Sequence, residues 1–450
     1  MKYIPLLFVL MIFHSCSSEE PAKAESFTKP QGKDIYIPTD LKNNDFSNAS
    51  SKWCWKRSKA STNWIVFWES GFGSDPKNAS PPYTVDIDDL LANAEKIYTY
   101  YATTLKFIDP VNSKTTQYRM MIFLSYSKEW NATGAGYDDI IGTLWINPSS
   151  AQPVGSVVAH EIGHCFQYQV YCDNPSANPG FRYGFGPNGE GGNGFWEQCA
   201  QWQSFKVFPQ EQFINHYFNE YLTSFHKHIL HETPRYANYF IQDYWCMKHG
   251  IDFIGKLWRS AQKPEDPVEA YKRITGIDQK TFNDEMFDAA RRFVNWDIDG
   301  IRDYGKDYAG RSQAKLQISR DGYYAIHPDQ CIENYGYNTI TLDTPANATA
   351  IRADFVGIAG ATGYRSLNPD KAGWRYGFVA YLNNGTCVYS DIFSASTGTA
   401  SFNCPGNCKK LYFVVSGAPT SHWHHVWDDN DSNDEQWPYK VKFSGATVTL

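Results

Sequence analysis

Val157-Val-Ala-His-Glu-Ile-Gly-His-Cys-Phe-Gln167 is the stretch from which the rest of the chain can be read. His160 and His164 are four positions apart, so on a helix both project from one face, about one turn apart. That separation lets two imidazole nitrogens reach a single Zn²⁺ at about 2.0–2.1 Å. Glu161 lies between them, where a carboxylate can act as general base toward a zinc-activated water. The helix is expected to open at Pro153 and run to about Tyr171. The apolar, β-branched run at 140–147 just before it reads as a strand. The plain alternative is an amphipathic helix carrying two incidental histidines.

A zinc site needs a third protein ligand. Phe195-Trp-Glu-Gln-Cys-Ala-Gln-Trp-Gln203 supplies Glu197 on an apolar helix that follows Gly191-Gly-Asn-Gly194. A carboxylate among Phe195, Trp196, Cys199 and Ala200 needs a partner, since unpaired burial of a charge is costly. Metal ligation is one solution and a structural ion pair the other. Glu190, in the Gly-rich loop 180–194, is the second candidate ligand, with no rigid element to hold it.

These residues resemble the gluzincin branch of zinc metallopeptidases, in which His-Glu-x-x-His on one helix and a Glu on the next complete the metal site. The metzincin pattern does not fit, because Gln167 and Val170 stand where it requires Gly and His. The order of strand, helix, strand, edge strand and metal helix over 62–170 is similar to the zincin fold, with 140–147 as the edge that would hold an extended peptide. The resemblance covers roughly 51–310 and extends to secreted bacterial proteins known only as peptidases of unknown function. It implies His160, His164 and Glu197 as zinc ligands, Glu161 as the catalytic base, and a peptide carbonyl rather than another acyl group as the target. In thermolysin-like members an acidic residue four positions after the glutamate ligand steadies a zinc histidine; here that residue is Gln201, an uncharged and weaker acceptor. Tyr236, Tyr239 and His231 are all candidates for stabilising an oxyanion, and the sequence does not choose among them.

Working outward, residues 1–16 read as a lipoprotein signal peptide. Lys2 is followed by an apolar run too short to span a bilayer, ending at His14-Ser15-Cys16, with Cys16 as the expected lipidation site. The following Ser17-Ser18-Glu19-Glu20 resembles the signal that sends some Gram-negative lipoproteins to the outer-membrane surface. Residues 17–50 are expected to be a flexible tether. An α+β zincin-like domain is expected over 51–312 and an all-β sandwich over 320–450, where short strands alternate with Gly, Asn and Pro. Nine cysteines remain after Cys16, and Cys404 and Cys408 are candidates for a local disulfide.

A formal charge of −7 gives no electrostatic reason to bind nucleic acid; the resemblance implies a peptide or protein partner, glycoprotein included, and the leader a lipid anchor in the membrane. His422, His424 and His425 read as surface groups, and the acidic run 428–435 as a solvated turn that offers oxygens to Ca²⁺. Trp374, Tyr376, Tyr381, Trp423 and Trp427 offer stacking surfaces for glycans. The rival to a hydrolase is therefore a non-catalytic surface lipoprotein, binding glycan or protein, with a structural or vestigial zinc site.

Overall fold

Strands β1 (Ser58–Ala60), β2 (Trp64–Trp68), β3 (Met120–Leu124), β4 (Ala132–Tyr137) and β5 (Ile141–Ile146) form one mixed sheet in the order β1-β2-β3-β5-β4. They belong to a computed structural model that describes residues 27–449. The leader, the lipidation site Cys16 and the first part of the expected tether lie outside the described residues. β2 and β3 pair in parallel and are buried along their whole length, so both faces of the sheet must be covered. Helix α1 (Ile87–Thr99), capped by the Asp86 carboxylate, covers one face and continues as a π turn over Tyr100–Thr104. After the single turn α2 (Pro148–Ala151), helix α3 (Ser156–Asp173) packs beside α1, where Tyr98 and Tyr101 set their ring edges against Phe166.

The opposite face is covered by chain expected to be tether. Phe46 stacks on Trp55 and Trp53 lies against Phe123, with ring centroids 4.8 Å apart in both pairs. Arg57 donates to the Ala49 carbonyl (2.7 Å) and Arg119 to the Gln31 carbonyl (2.7 Å), holding this polar segment down. Residues 27–50 are therefore part of the folded body, because their few aromatics fill a sheet face that no helix covers.

The edge of the sheet also differs from expectation. β5, expected as the edge, lies inside, and Ala132-Thr-Gly-Ala-Gly-Tyr137 (β4) is added antiparallel outside it. Its glycines let α3 sit directly on the strand. A Cβ on Gly134 would lie 2.1 Å from the Glu161 carbonyl oxygen, and one on Gly136 2.3 Å from the Tyr168 ring. Gly163 lets the following helix α4 (Gly194–Val207) come near, though less closely, since a Cβ there would be 3.1 Å from Gln203 Oε1 and 3.3 Å from Ala200 Cα.

Helices α5 (His216–Ser224), α6 (Phe240–His249), α7 (Phe253–Ser260), α8 (Pro267–Thr275), α9 (Gln279–Phe293) and the single turn α10 (Arg302–Gly305) complete the helical region. Two antiparallel sheets follow. One has the order β11-β10-β13-β8, from β8 (Tyr337–Leu342), β10 (Trp374–Leu382), β11 (Cys387–Tyr389) and β13 (Cys408–Gly417). The other runs β12-β9-β14-β7-β6, from β6 (Leu316–Ile318), β7 (Tyr324–Ile326), β9 (Thr349–Gly357), β12 (Thr397–Cys404) and β14 (Tyr439–Ser444). Their facing sides share a core, with Phe355 of β9 stacked on Tyr376 of β10 at 4.1 Å. The outer side of the first sheet does not face water. Tyr337, Val379, Tyr412 and Val414 join the core of the helical region, and the Tyr221 and Tyr337 hydroxyls meet at 2.8 Å.

Two further expectations are corrected here. Trp374 and Tyr376 are buried in the core, Trp423 packs against Trp437, and Trp427 lies on the loop before α4, so these four rings are not a free stacking surface, while Tyr381 is half-buried. His422, His424 and His425 are not surface groups. The segment between β13 and β14 runs back over the helices, where His422 meets Asp266 (2.8 Å), His424 meets Glu269 (2.8 Å) and His425 meets Glu232 (2.9 Å). Carboxylates of the acidic run are largely engaged with the protein: Asp431 takes Lys227 at 2.9 Å and Asp434 takes His231 at 3.2 Å, which leaves little support for the Ca²⁺ expectation. Cys404 and Cys408 stand side by side as thiols.

Buried His425 faces Glu232, Asp434 and Glu333, with the His228 and His231 rings beside it. Burial disfavours its charged form, but the hydrogen bond to Glu232 and the nearby carboxylates outweigh burial and raise its pKa above 6.5. A pKa raised in the folded state adds stability that is fully present below the unfolded value and is lost as pH rises through the folded one. Thermal melts are expected to show His425→Gln well below the unaltered chain near pH 6, with the gap narrowing as pH rises above 6.5.

Candidate functional site

The site is assembled where α3 and α4 lie side by side. His160 and His164 point from one face of α3, their rings 4.6 Å apart and nearly perpendicular. Glu197, in the first turn of α4, reaches across so that its Oε2 lies 3.2 Å from His160 Nε2 and 3.1 Å from His164 Nε2. The two histidines are buried, Glu197 is mostly so, and the three side chains bring His Nε2 and carboxylate atoms to one point.

Each imidazole is oriented from behind by a glutamine. His160 Nδ1 donates to Gln201 Oε1 (2.9 Å) and His164 Nδ1 to Gln167 Oε1 (3.0 Å). The orientation of Gln167 follows from its neighbours, because its amide nitrogen donates to the Trp196 carbonyl (3.2 Å) and to Gln203 Oε1 (3.1 Å). With protons on both Nδ1 atoms, both Nε2 lone pairs face a carboxylate oxygen. Three acceptors meeting at one point need protons or a cation between them. Tetrahedral coordination at about 2.0–2.1 Å places ligand atoms roughly 3.3–3.4 Å apart, close to the two observed separations. The donor set therefore fits a divalent cation, and His160, His164 and Glu197 are the residues that could hold it.

Burial acts in the same direction on the two glutamates, and their partners set them apart. Burial pushes the Glu161 carboxyl up to about 7; nearby Glu197 adds to the rise and His160 opposes it. Burial also acts to raise Glu197, but the close His160 and His164 rings, which donate to it whenever Nε2 carries a proton, outweigh burial and hold that carboxylate far below the usual range. Asn193 Nδ2 donates to its other oxygen at 3.3 Å.

His160, His164, Glu197 and Glu161 form part of the wall of a cleft of about 690 Å³. β4 borders it through Ala132, Thr133, Gly134 and Ala135, so the edge strand available to a ligand is β4, not 140–147. Trp196 stacks flat on His164 (4.6 Å, 9°) and closes one side. Tyr236 lies across the site, its ring 6.0 Å from His160 and stacked with Tyr217 at 5.3 Å. Burial, reinforced by the charge of Glu197, pushes the Tyr236 phenol up to about 12, so it keeps its proton at neutral pH. Exposed Trp130 and Tyr183 stand at the rim.

Of the other candidates, Tyr239 is buried in the helical core and donates to the Gln212 carbonyl (2.8 Å). His231 belongs to the ion-pair cluster with Asp434. Glu190 turns its carboxylate to the Asn188 amide (2.8 Å) and takes no part in the ligand set. Gln167, Asn193, Trp196, Tyr217 and the cleft-lining His216 were not identified as site residues from sequence. Only Gln167 carried a usable signal, a polar side chain one turn beyond His164 on a helix otherwise buried there.

Replacing Gln201 or Gln167 by Leu removes an imidazole acceptor without altering a ligand. Each change is expected to weaken divalent-ion binding by roughly 10–100-fold, measured by competition with a chromophoric chelator.

Comparison with known proteins adds a family and little else. No curated protein matches the chain. Among solved structures, the C-terminal family 22 carbohydrate-binding module of Clostridium thermocellum Xyn10B aligns at 11% identity, covering 30% of this chain and 80% of that one, with a TM-score of 0.19. The CBM22-1 xylan-binding domain of Paenibacillus barcinonensis Xyn10C aligns at 8% identity over 30% and 80%, with a TM-score of 0.19. A GH115 4-O-methyl-α-glucuronidase, BtGH115A, aligns at 10% identity over 51% and 33%, with a TM-score of 0.15. Likenesses this slight carry no argument about fold or function. The family match, by contrast, spans residues 27–450, and the chain belongs to the family of unknown function DUF6055.

Proposed function

We propose that the chain is a zinc-dependent hydrolase, a metallopeptidase with a zincin-like catalytic region. The observation that carries this reading is the convergence of His160 Nε2, His164 Nε2 and Glu197 Oε2, at separations of 3.1–3.2 Å from the carboxylate oxygen, in the wall of an open cleft. A zinc ion held by these three side chains would polarise a substrate carbonyl and make water nucleophilic near neutral pH.

The rest of the chemistry is done by the chain itself. Gln201 and Gln167 keep the Nδ1 protons engaged, so the Nε2 lone pairs stay directed into the cleft. The Glu161 carboxylate takes a proton from the attacking water and returns it to the leaving amine. The Tyr236 hydroxyl, held protonated, donates a hydrogen bond to the developing oxyanion. The free edge of β4 offers backbone N–H and C=O groups to an extended chain, which favours a peptide over a compact ester. Trp196, stacked on His164, keeps water from one side of the ligand set.

Metal analysis of the purified chain is expected to find about one zinc per molecule. His160→Ala and Glu197→Ala lose it, while Glu161→Gln keeps it and loses peptide-library cleavage by about 10²–10⁴-fold. Zinc bound without cleavage of any peptide would favour a structural ion in a binding protein, and no zinc would end the hydrolase reading. Tyr236→Phe is expected to keep zinc and lower kcat by about 10²–10³-fold, with a smaller change in KM.

A further inference from the structure

Glu197 and Tyr236 face one another across the cleft, and both connect to the same side chain of the C-terminal sandwich. Trp427 lies in the segment between β13 and β14. Its backbone N–H donates to the Glu190 carbonyl at 2.7 Å, in the Gly-rich loop that leads into α4. Its ring rests on that loop at Gly192, whose φ is +59° and where a Cβ would lie 2.6 Å from the indole. The next residue, Asn193, caps the approach to Glu197, which it meets through both its carbonyl (3.1 Å from Glu197 N) and its side-chain amide (3.3 Å from Oε1).

The same indole reaches the other wall. The Arg235 guanidinium lies over both rings, 4.9 Å from Trp427 and 5.1 Å from Tyr236. Such contacts are worth about 0.5–2 kcal/mol each, rising as water is excluded. The segment bearing Trp427 is tied down on both sides, by the pairs His425–Glu232 and Lys227–Asp431 and by the Asp429 amide on Glu232 Oε1 at 3.0 Å.

We propose that Trp427 is a positioning residue of the metal centre. It clamps the Gly192–Asn193 turn that aims Glu197 and, through Arg235, the loop that aims Tyr236, so that the C-terminal sandwich completes the site. This inference rests on the hydrolase reading for its consequence but not for its geometry, and two measurements on the full chain keep them apart. The first is amide hydrogen exchange in the metal-free protein. Trp427→Ala is expected to speed exchange over 186–197 by about tenfold or more relative to the α3 amides, with Trp427→Phe restoring most of the protection. The second is Co²⁺ titration followed by visible absorption. Trp427→Ala is expected to bind roughly tenfold more weakly with an altered ligand-field spectrum, and Trp427→Phe to recover the original one.

Gly192→Ala presses the same ring from the opposite side and is expected to reproduce both effects, which keeps the test decisive where Trp427→Ala folds poorly. Unchanged exchange at 186–197 in both Trp427→Ala and Gly192→Ala overturns the clamp, whatever the metal does. Altered exchange with an unchanged Co²⁺ spectrum and affinity overturns the positioning role. Absence of Co²⁺ binding in the unaltered chain removes the hydrolase reading and, with it, the role assigned to Trp427 at a metal centre.

Discussion

Close packing of α3 against β4 on one side and α4 on the other is the constraint from which the site follows. Three elements can converge on one point only if their backbones approach to near contact, and that demands positions without a Cβ. Gly134 meets the backbone of Glu161, Gly136 the ring of Tyr168, and Gly163 the backbone of α4 at Ala200. Gly163 sits inside the His160–His164 interval of a helix, where glycine costs about 1 kcal/mol against alanine. Its use there is explained by the approach it permits.

Once the backbones are fixed, partners rather than burial decide the state of each carboxyl group. Glu161 and Glu197 are both withdrawn from water within the same cleft wall. Two imidazoles hold Glu197 far below the usual carboxylate range, whereas burial pushes Glu161, which accepts the Gly134 amide, up to about 7. One group is thereby suited to ligation and the other to moving a proton.

The parts of this arrangement legible in the sequence are those whose signal is local. Two histidines four apart on a helix, and a carboxylate embedded among aromatics on the next, can be read because helical spacing alone places them. β4 was missed because Ala-Thr-Gly-Ala-Gly has little strand propensity; its residues are chosen for the helix above them. Residues 27–50 looked like tether because polar composition hid Ile35 and Phe46, which only the sheet face explains. His422, His424 and His425 looked like surface groups because their acidic partners lie 156, 155 and 193 positions away. The glutamines behind the imidazoles are equally invisible before the helices are set side by side.

The sharing of one core by the helical region and the outer face of the β8–β10–β13 sheet bears on when the protein becomes whole. Tyr412 and Val414 belong to the last tenth of the chain, yet they pack into the same interior as Tyr221 and Phe293. A ribosome releases those residues long after α3 and α4 have emerged, and long-range contacts of this kind form late. The surroundings of the cleft are therefore completed only after β13 has been made, and a chain stopped before it carries the cleft residues without that packing.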